Sequence, residues 1–442
     1  MQAYHSRPYR GEEDCSQQPP VHVGWTALGS VVATVVPMAA VRTARFSGGV
    51  VALLALAIFV NYVDRGNLAT AAPLIKGELK LSNTQMGTLI SAFFWIYVPG
   101  QLVAAWLISR INAYRTLALG LAVWSAATIL TGLASGFAAL LALRIALGLG
   151  ESAGFPASSK LLAQHLPPRR LGSANSLVSA GIMLGPAAGT FFGGLLIAHA
   201  GWRLLFVLFG AASLLWLAPW LISTRTLSLE HRLTPPPTEP TFRALMARRE
   251  LWACAIGHLA ANYPFYLVLS WLPLYLVKQQ GYSLTAMAEL GGLVYVLSAV
   301  ISLAGGAFAD RWMARGASST RVRKTLIVTA SLVSITCMLM CAFGGPQLAI
   351  AGLVLSSVGN GLGSFNLYAI GQTLAGPAAA GKWIGLQNCV GNISGIVAPI
   401  LTGAIIDMTG AFSMAFLAAA LIGAVGLACW TVGLRRIEPI AW

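Results

Sequence analysis

Five charged side chains lie within, or at the ends of, two long apolar segments in the first half of the chain: Asp64, Arg65, Arg144, Glu151 and Lys160. A charge at bilayer depth is costly, so it usually faces a partner or a watery cavity. A carboxyl group in such a place can take up and release a proton, and an arginine can bind a carboxylate through two parallel hydrogen bonds. These five residues therefore indicate a path for a proton, an anion or both.

The elements that hold these charges are predicted to be membrane-spanning helices. Of the 442 residues, 57% are hydrophobic and 9% are charged, whereas about 25% are charged in a typical soluble domain. Apolar runs of about 20 residues recur along the chain, and they lack the alternating pattern of barrel strands. The predicted fold class is therefore an all-α polytopic membrane protein. We predict twelve spans, near residues 48–72, 84–108, 115–135, 138–164, 172–199, 202–223, 250–278, 286–313, 323–343, 346–375, 380–407 and 411–434.

The distribution of basic residues predicts the orientation of these spans. The net charge is +15, which could suit nucleic acid, but the basic residues collect on one side of the predicted membrane. This positive-inside pattern predicts cytoplasmic termini, a cytoplasmic central loop and a lipid bilayer as the surrounding partner, with no nucleic acid. The cytoplasmic set includes Arg7, Arg10, Arg42, Arg45, Arg110, Arg115, Arg169, Arg170, Arg311, Arg315, Arg321, Arg323, Lys324, Lys382, Arg435 and Arg436.

Two further features of composition have modest weight. The six cysteines are scattered without the spacing of a metal site, so we interpret them as small packing residues.

Residues 1–45 begin with a polar stretch, followed by a mildly apolar one at 22–41. That stretch could be a thirteenth span, a cleaved signal or an extension upstream of a true start at Met38. We favour a disordered or non-essential extension.

The chain is predicted to contain two similar halves. Residues 46–223 and 250–442 each hold six predicted spans, joined by a Pro- and Arg-containing linker at 224–249. Glycine pairs spaced by four recur at corresponding places, at 181 and 185 in the fifth span and at 391 and 395 in the eleventh. Two such halves with close helix contacts are typical of alternating-access transporters, in which substrate binds between the halves.

Three contiguous motifs resemble signatures of the anion:cation symporter family of the major facilitator superfamily. They are residues 61–69 (Asn-Tyr-Val-Asp-Arg-Gly-Asn-Leu-Ala), 94–101 (Phe-Trp-Ile-Tyr-Val-Pro-Gly-Gln) and 143–156, which ends in Gly-Glu-Ser-Ala-Gly-Phe-Pro. The resemblance covers most of residues 48–435. It implies the major facilitator fold and proton-coupled import of an organic anion, such as a sugar acid, across a bacterial inner membrane. We expect a monomer that uses protons as the coupling ion and needs no cofactor.

The resemblance also implies roles for individual residues. Asp64 and Glu151 match the protonatable pair of the family, and Arg65 matches its anion-binding arginine. Arg144 matches a charge partner in the fourth helix, to which we add Lys160 as part of the charge network. The positions that match or are predicted to line the substrate pocket are Tyr62, Tyr97, Gln101, Asn366 and Asn388.

Helix geometry limits how the charges can pair. Asp64 and Arg65 are consecutive, so they point about 100° apart, whereas Arg144 and Glu151 are two turns apart on one helix face. We predict that Asp64 pairs across helices with Arg144 or with the network of Glu151. A purely structural role stays open for all of these charges, and above all for Arg144 and Lys160.

The second half is predicted to recognise neutral groups, because it has no comparable buried charge. Amide and phenol groups suit a polyhydroxylated substrate, and unpaired amides are costly in a membrane interior. His258 is interpreted as a packing histidine, with a proton relay as the alternative. The polar candidates at the predicted midplane are Asn262, Tyr263, Tyr266, Trp271, Asn360, Asn366, Tyr368, Gln372, Gln387, Asn388 and Asn392.

Two departures from the family pattern leave a rival function open. The loop after the second span lacks the expected Asp and Gly, so gating by Arg110 is predicted to be weaker than gating by Asp310 and Arg311 in the second half. Residues 181–189 resemble a fifth-helix motif of drug/proton antiporters, which makes a proton-linked exporter of hydrophobic compounds the alternative. An enzyme is not predicted, since no nucleophile elbow, phosphate loop or metal cluster occurs in the sequence.

Overall fold

A computed structural model describes residues 48–81, 83–233, 239–276, 280–281 and 284–442. The predicted extension at 1–45 lies outside the described residues, as does part of the predicted linker, 234–238. The described chain is helical and contains no β-strand. Its α-helices are α1 (Gly48–Glu78), α2 (Asn83–Ile111), α3 (Ala113–Thr131), α4 (Phe137–Glu151), α5 (Gly154–His165), α6 (Leu171–Leu215), α7 (Leu217–Leu233), α8 (Phe242–Met246), α9 (Arg249–Leu274), α10 (Leu284–Ala314), α11 (Ser319–Phe343), α12 (Pro346–Gly391), α13 (Ser394–Thr409) and α14 (Phe412–Ala428).

The helices reproduce the predicted pattern of spans. Within the described residues, ten stretches are long and apolar enough to cross a bilayer. One of them, Pro346–Thr409, contains 64 residues and covers two predicted spans. The other missing span is α9, which is 26 residues long but carries polar side chains such as His258 and Asn262 that lower its hydropathy. The prediction of an all-α membrane protein with about twelve spans is confirmed.

Two glycines in the left-handed region end one span and begin the next. Gly201 has φ 76° within α6, and Gly376 has φ 64° within α12. Such a φ is strained for a residue with a Cβ atom, so glycine is the residue that kinks the chain here, between two helical segments. The predicted span boundaries at 199–202 and 375–380 lie at these two turns.

The fourth predicted span, 138–164, is divided into α4 and α5 immediately after Glu151. Pro156 explains the irregularity, because it has no N–H to donate to the carbonyl of Ser152 one turn earlier. The division places the carboxylate of Glu151 at the end of one helix segment. Lys160 lies on the next segment.

The linker is partly helical. α7 continues to Leu233, beyond the predicted end of the sixth span at residue 223, and α8 forms a single turn at Phe242–Met246. Helices that precede the linker meet helices that follow it along two seams, α6 against α10 and α2 with α5 against α12. These seams bring side chains of the first six spans against those of the second six.

Glycines allow α1 and α6 to approach closely. A Cβ atom added at Gly181 would lie 2.9 Å from the carbonyl oxygen of Ala55, and one at Gly185 would lie 2.6 Å from Cβ of Tyr62. At Gly189 the added atom would lie 2.9 Å from the carbonyl oxygen of Val63. The glycine motif of α6 therefore seats α1, the helix that carries Asp64 and Arg65.

We expect Gly185→Ala to destabilise the protein by about 1–3 kcal/mol, because the new methyl group must push α1 away from α6. Gly194→Ala is the matched control on the same helix, since nothing lies within 4 Å of its added Cβ atom. Thermal unfolding of the purified protein in detergent should show a lower midpoint for the first variant and no loss for the second. Equal midpoints would contradict the assigned role of the glycines.

Candidate substrate and proton site

A buried ion pair joins α1 to α4. Nε of Arg65 lies 2.7 Å from Oε2 of Glu151, and the side chains of these residues are 13% and 0% exposed. Both charges were predicted to belong to the site, but their direct pairing was not. A buried ion pair needs close geometry because desolvation opposes it. Removal of either partner would leave an uncompensated charge.

Aromatic rings surround the guanidinium of Arg65. Its Cζ atom lies 4.4 Å from the ring centre of Tyr62, 4.9 Å from that of Phe93 and 4.4 Å from that of Tyr97. Rings at these distances stabilise a cation through their quadrupoles. Among the described residues, Nη2 of Arg65 and the hydroxyl of Tyr97 are buried without a hydrogen-bond partner. The ion pair therefore leaves one guanidinium nitrogen and a phenol available to another polar group.

Asp64 is buried beside this pair but has neutral partners. Its Oδ1 accepts a hydrogen bond from Nδ2 of Asn67 at 3.2 Å, and its Oδ2 accepts one from the hydroxyl of Ser213 at 3.3 Å. Of the two predicted alternatives, an ion pair with Arg144 or a place in the network of Glu151, the ion pair does not form, and both residues act on Asp64 only electrostatically. Nε of Arg144 instead donates to the carbonyl oxygen of Leu89 at 3.4 Å. The sequence could not show this, because Ser213 on α6 is 149 residues away and carries no charge.

A cavity lies next to the aromatic cage and extends into the second half of the chain. Tyr62 lines this cavity and also lies against the guanidinium of Arg65, so it separates the ion pair from the open space. The other lining groups are mostly neutral. Polar ones among them are His258, Asn262, Tyr266, Ser331, Ser334, Asn360, Ser364, Tyr368 and Asn392.

Behind the cavity wall, which does not include Gln101 or Asn388, amide and phenol groups connect the two halves of the chain. The hydroxyl of Tyr368 donates to Oδ1 of Asn388 at 3.1 Å, and Nδ2 of Asn388 lies 3.5 Å from Oε1 of Gln101. The ring of Tyr368 also stacks on Phe155 of α5 at a centroid distance of 4.9 Å. Gln101 and Asn388 were predicted site residues, and the structure brings them together at the seam between α2 and α12.

Some predicted residues lie elsewhere, and some neighbours of the site were not singled out. Asn366 does not line the cavity, because its Nδ2 donates to the carbonyl oxygen of Arg323 at 2.7 Å on α11. His258 packs edge-on against Tyr368 and does line the cavity. Ser213 and Asn67 were missed because neutral polar residues in an apolar helix give little sequence signal.

The family assignment follows from comparison with known proteins. The model of the Major Facilitator Superfamily matches residues 54–399, which is most of the chain. The chain belongs to the major facilitator superfamily. The structure agrees, since FucP in its outward conformation superposes with a TM-score of 0.68, at 17% sequence identity, over 87% of this chain and 99% of that one.

Several relatives are named as transporters of sugar acids. The hexuronate transporter of Bacillus subtilis is 29% identical over 88% of this chain and 94% of its own length. A probable galactarate/D-glucarate transporter, GudP, is 28% identical in Bacillus subtilis, over 88% of this chain and 92% of its own length. GudP of Escherichia coli is also 28% identical, over 89% and 95%. The chain is therefore a membrane-spanning transporter of this superfamily, and its relatives are not enzymes.

At the end of the transporter that carries most basic residues, a linker carboxylate joins both halves. Oε1 of Glu239 lies 2.6 Å from Nζ of Lys160 on α5, and Oε2 lies 3.1 Å from Nζ of Lys382 on α12. Nζ of Lys160 also donates to the carbonyl oxygen of Ala378 at 2.8 Å. We call these three charged residues the Glu239 clamp. Lys160 therefore connects α5 to the linker and to α12, and among the described residues no contact joins it to Glu151.

The Glu239 clamp supplies a carboxylate near the loop that lacks its expected Asp. Ser109, at the end of α2, is among the groups that act on the carboxylate of Glu239. Burial raises the pKa of Glu239, but the charge of Lys160 and hydrogen bonds from Lys160, Ser109 and Lys382 outweigh it, so the pKa lies below its ordinary value. The clamp therefore contributes stability above the pKa of a free glutamate and loses it only as pH falls through the lowered value.

A second contact between the halves at the same end uses Asp310. Its Oδ1 accepts from the backbone N–H of Gly172 at 3.0 Å, and its Oδ2 accepts from that of Ser173 at 2.7 Å. A carboxylate at a helix N-terminus is favoured by the free N–H groups and the helix dipole. The two predicted gating arginines are exposed, and the guanidinium of Arg110 lies 5.6 Å from the ring of Trp106. Arg311 is likewise exposed.

We expect Glu239→Gln to loosen the basic end of the transporter, because two lysines lose their shared negative partner. Hydrogen–deuterium exchange should become faster in α5 and in the part of α12 that follows Gly376. Glu250→Gln is the matched control, since Glu250 makes an ion pair only with the neighbouring Arg249, which is 61% exposed. Unchanged exchange in both segments at pH 7 would show that the Glu239 clamp does not hold the halves together.

Proposed function

We propose that this chain is a proton-coupled symporter that carries an organic anion, a sugar acid or a related carboxylate, into the cytoplasm by alternating access. The observation that carries the proposal is the buried Arg65–Glu151 ion pair, enclosed by tyrosine rings and separated from a neutral cavity by Tyr62. A fixed cation next to a cavity suits a carboxylate substrate, and a carboxylate next to that cation suits a proton.

Competition for Arg65 provides the coupling. While Glu151 is ionised it occupies Nε of Arg65, and the pair is neutral as a whole. A proton on Glu151 removes that charge and frees the guanidinium, so a substrate carboxylate can take the place of Glu151. Each bound anion then requires a bound proton, because an unpaired charge in this buried site is costly.

The substrate class is supported by the cavity wall and by the relatives. The phenols of Tyr266 and Tyr368 and the amides of Asn262, Asn360 and Asn392 line the cavity and can donate and accept hydrogen bonds, as the hydroxyl groups of a sugar acid require. Relatives named for hexuronate and for galactarate or D-glucarate are similar over most of the chain. We propose Tyr62, which lines the cavity, as a direct substrate contact. Tyr97 lies against Arg65, and Asn388 and Gln101 lie behind Tyr368, so we propose that these three contact the substrate once it reaches Arg65. Asn366, which bonds to α11, is left out.

The proposed orientation places the basic end in the cytoplasm, in a bacterial inner membrane, with both termini on that side. The Glu239 clamp and Asp310 then close the path to the cytoplasm. The rival function, export of hydrophobic compounds by antiport, rested on the glycine motif of α6. That motif seats α1 in this structure, so it gives the rival no separate support.

The deciding experiment is uptake into proteoliposomes with an imposed pH gradient. Labelled D-glucuronate, D-galacturonate, galactarate and D-glucarate should be compared with aromatic acids, each with the gradient inward, outward and absent. We expect at least one sugar acid to accumulate only with the inward proton gradient. No accumulation of any carboxylate would rule out the symporter, and proton-driven loss of hydrophobic compounds would favour the rival.

We expect Glu151→Gln and Asp64→Asn to abolish proton-driven accumulation while substrate exchange at equal pH persists, because exchange needs no net proton movement. Counterflow of the accumulated sugar acid measures that exchange. Glu250→Gln should retain both activities, since Glu250 lies in a peripheral ion pair. Loss of both accumulation and counterflow, with unfolding of the purified variants, would instead indicate that these carboxylates only hold the helices together.

We expect Arg65→Lys to raise the KM for the sugar acid by about ten- to a hundred-fold, since lysine cannot form two parallel hydrogen bonds to a carboxylate. Initial rates over a range of substrate concentrations at fixed pH separate KM from kcat. An unchanged KM would remove Arg65 from the substrate contacts.

A further inference from the structure

The two buried carboxylates of the site have contrasting partners. Glu151 is bound by a cation, whereas Asp64 is 2% exposed and hydrogen-bonds only to neutral side chains. Arg144 and Glu151 on α4 act on Asp64 electrostatically, but within the described residues no cation lies within ion-pair distance of Asp64. Among the described residues, the hydrogen-bond partners of the Asp64 carboxylate are therefore Asn67 on its own helix and Ser213 on α6.

The hydroxyl of Ser213 can serve both states of a titrating carboxyl group. Its Oγ lies 2.9 Å from the carbonyl oxygen of Phe209 and 3.3 Å from Oδ2 of Asp64. A hydroxyl has one proton to donate and lone pairs that accept. It can donate to ionised Asp64, and it can turn its proton to Phe209 and accept from protonated Asp64. Neither state leaves a buried polar group unpaired at this position.

The amide of Asn67 offers the same choice on the other carboxyl oxygen. Its Nδ2 donates to Oδ1 of Asp64 at 3.2 Å. Its own Oδ1 is buried without a hydrogen-bond partner among the described residues, although a buried amide oxygen is normally paired. Rotation of the amide by half a turn would present that oxygen to a protonated Asp64. The amide thus donates to the ionised form, and it accepts from the neutral form when the single proton is on Oδ1. When that proton is on Oδ2, Ser213 accepts it and the amide continues to donate to Oδ1.

We propose that Ser213 and Asn67 are positioning residues that allow Asp64 to bind and release its proton while it stays buried. The inference rests on the proposed function, in which Asp64 carries a proton. It assigns the two carboxylates different partners. Glu151 exchanges its proton against the substrate on Arg65, and Asp64 exchanges its proton within a neutral hydrogen-bonding pair.

The direction in which the protonation midpoint of Asp64 moves follows from the strength of its hydrogen bond to Ser213 in the ionised form and in the neutral form. A bond to an ionised carboxylate is roughly twice as strong as one between neutral groups. Loss of the Ser213 hydroxyl therefore weakens the ionised form of Asp64 more than the neutral form. The protonation midpoint in Ser213→Ala should rise by about half to one pH unit relative to the unaltered transporter.

The test follows the carboxyl C=O stretch of Asp64 by infrared spectroscopy while the pH of the reconstituted transporter is varied, without substrate. Asp64→Asn identifies the band. Ser213→Ala and Asn67→Leu should each move the midpoint of the Asp64 band to higher pH. Ser213→Thr, which keeps a hydroxyl, should restore the midpoint of the unaltered transporter. Ser298→Ala is the matched control, because the buried hydroxyl of Ser298 also donates to a carbonyl one turn earlier, that of Val294, at 2.7 Å.

The outcomes separate the inference from the proposed function. If no band depends on Asp64, the proton role of Asp64 fails and the proposed function fails with it. If the band is present but its midpoint is the same in Ser213→Ala and Asn67→Leu, or moves equally in Ser298→Ala, the inference is overturned and the proposed function stands. If Ser213→Ala does not fold, the Asn67→Leu variant decides on the same criterion.

Discussion

A buried arginine must be neutralised, and the rest of the site depends on how this is done. Arg65 lies on α1 and its counter-ion, Glu151, is the last residue of α4, so one ion pair fixes the relative height of two helices. The rings of Tyr62, Phe93 and Tyr97 then enclose the guanidinium from α1 and α2. The pair is neutral as a whole. The buried charge then stays balanced in two cases only: one negative partner of Arg65 is exchanged for another, or Glu151 takes up a proton while an anion binds to Arg65.

The close contact of α1 with α6 gives the second carboxylate a different environment. Glycines at 181, 185 and 189 allow the backbone of α6 to reach α1. α6 turns at Gly201, and its continuation brings Ser213 to Asp64. Close packing of small residues and a polar contact thus occur on the same pair of helices. One carboxylate is therefore coupled to a cation and the other to neutral hydrogen-bonding groups, although that cation, Arg65, directly follows Asp64 in the sequence.

The sequence allowed prediction of the spans and of the charged residues, but not of their partners. Hydropathy predicted the helix boundaries, because it depends on residues that are local along the chain. The unusual position of Arg65 and Glu151 could be seen without a structure, since charges in apolar helices are rare. Their pairing depends on helix rotation and on side-chain rotamers, which no local pattern contains. Glu239 was missed for a related reason, since a single acidic residue in a linker has no periodicity that shows where it lies.

The division of the fourth span connects the site to the basic end. Glu151 ends α4, and α5 begins three residues later at Gly154 and carries Lys160. α5 also bears Phe155, whose ring stacks on Tyr368 in the cavity wall. A 12-residue helix is short and stiff, with a length of about 18 Å. One short helix therefore contacts the cavity wall through Phe155 and the Glu239 clamp through Lys160.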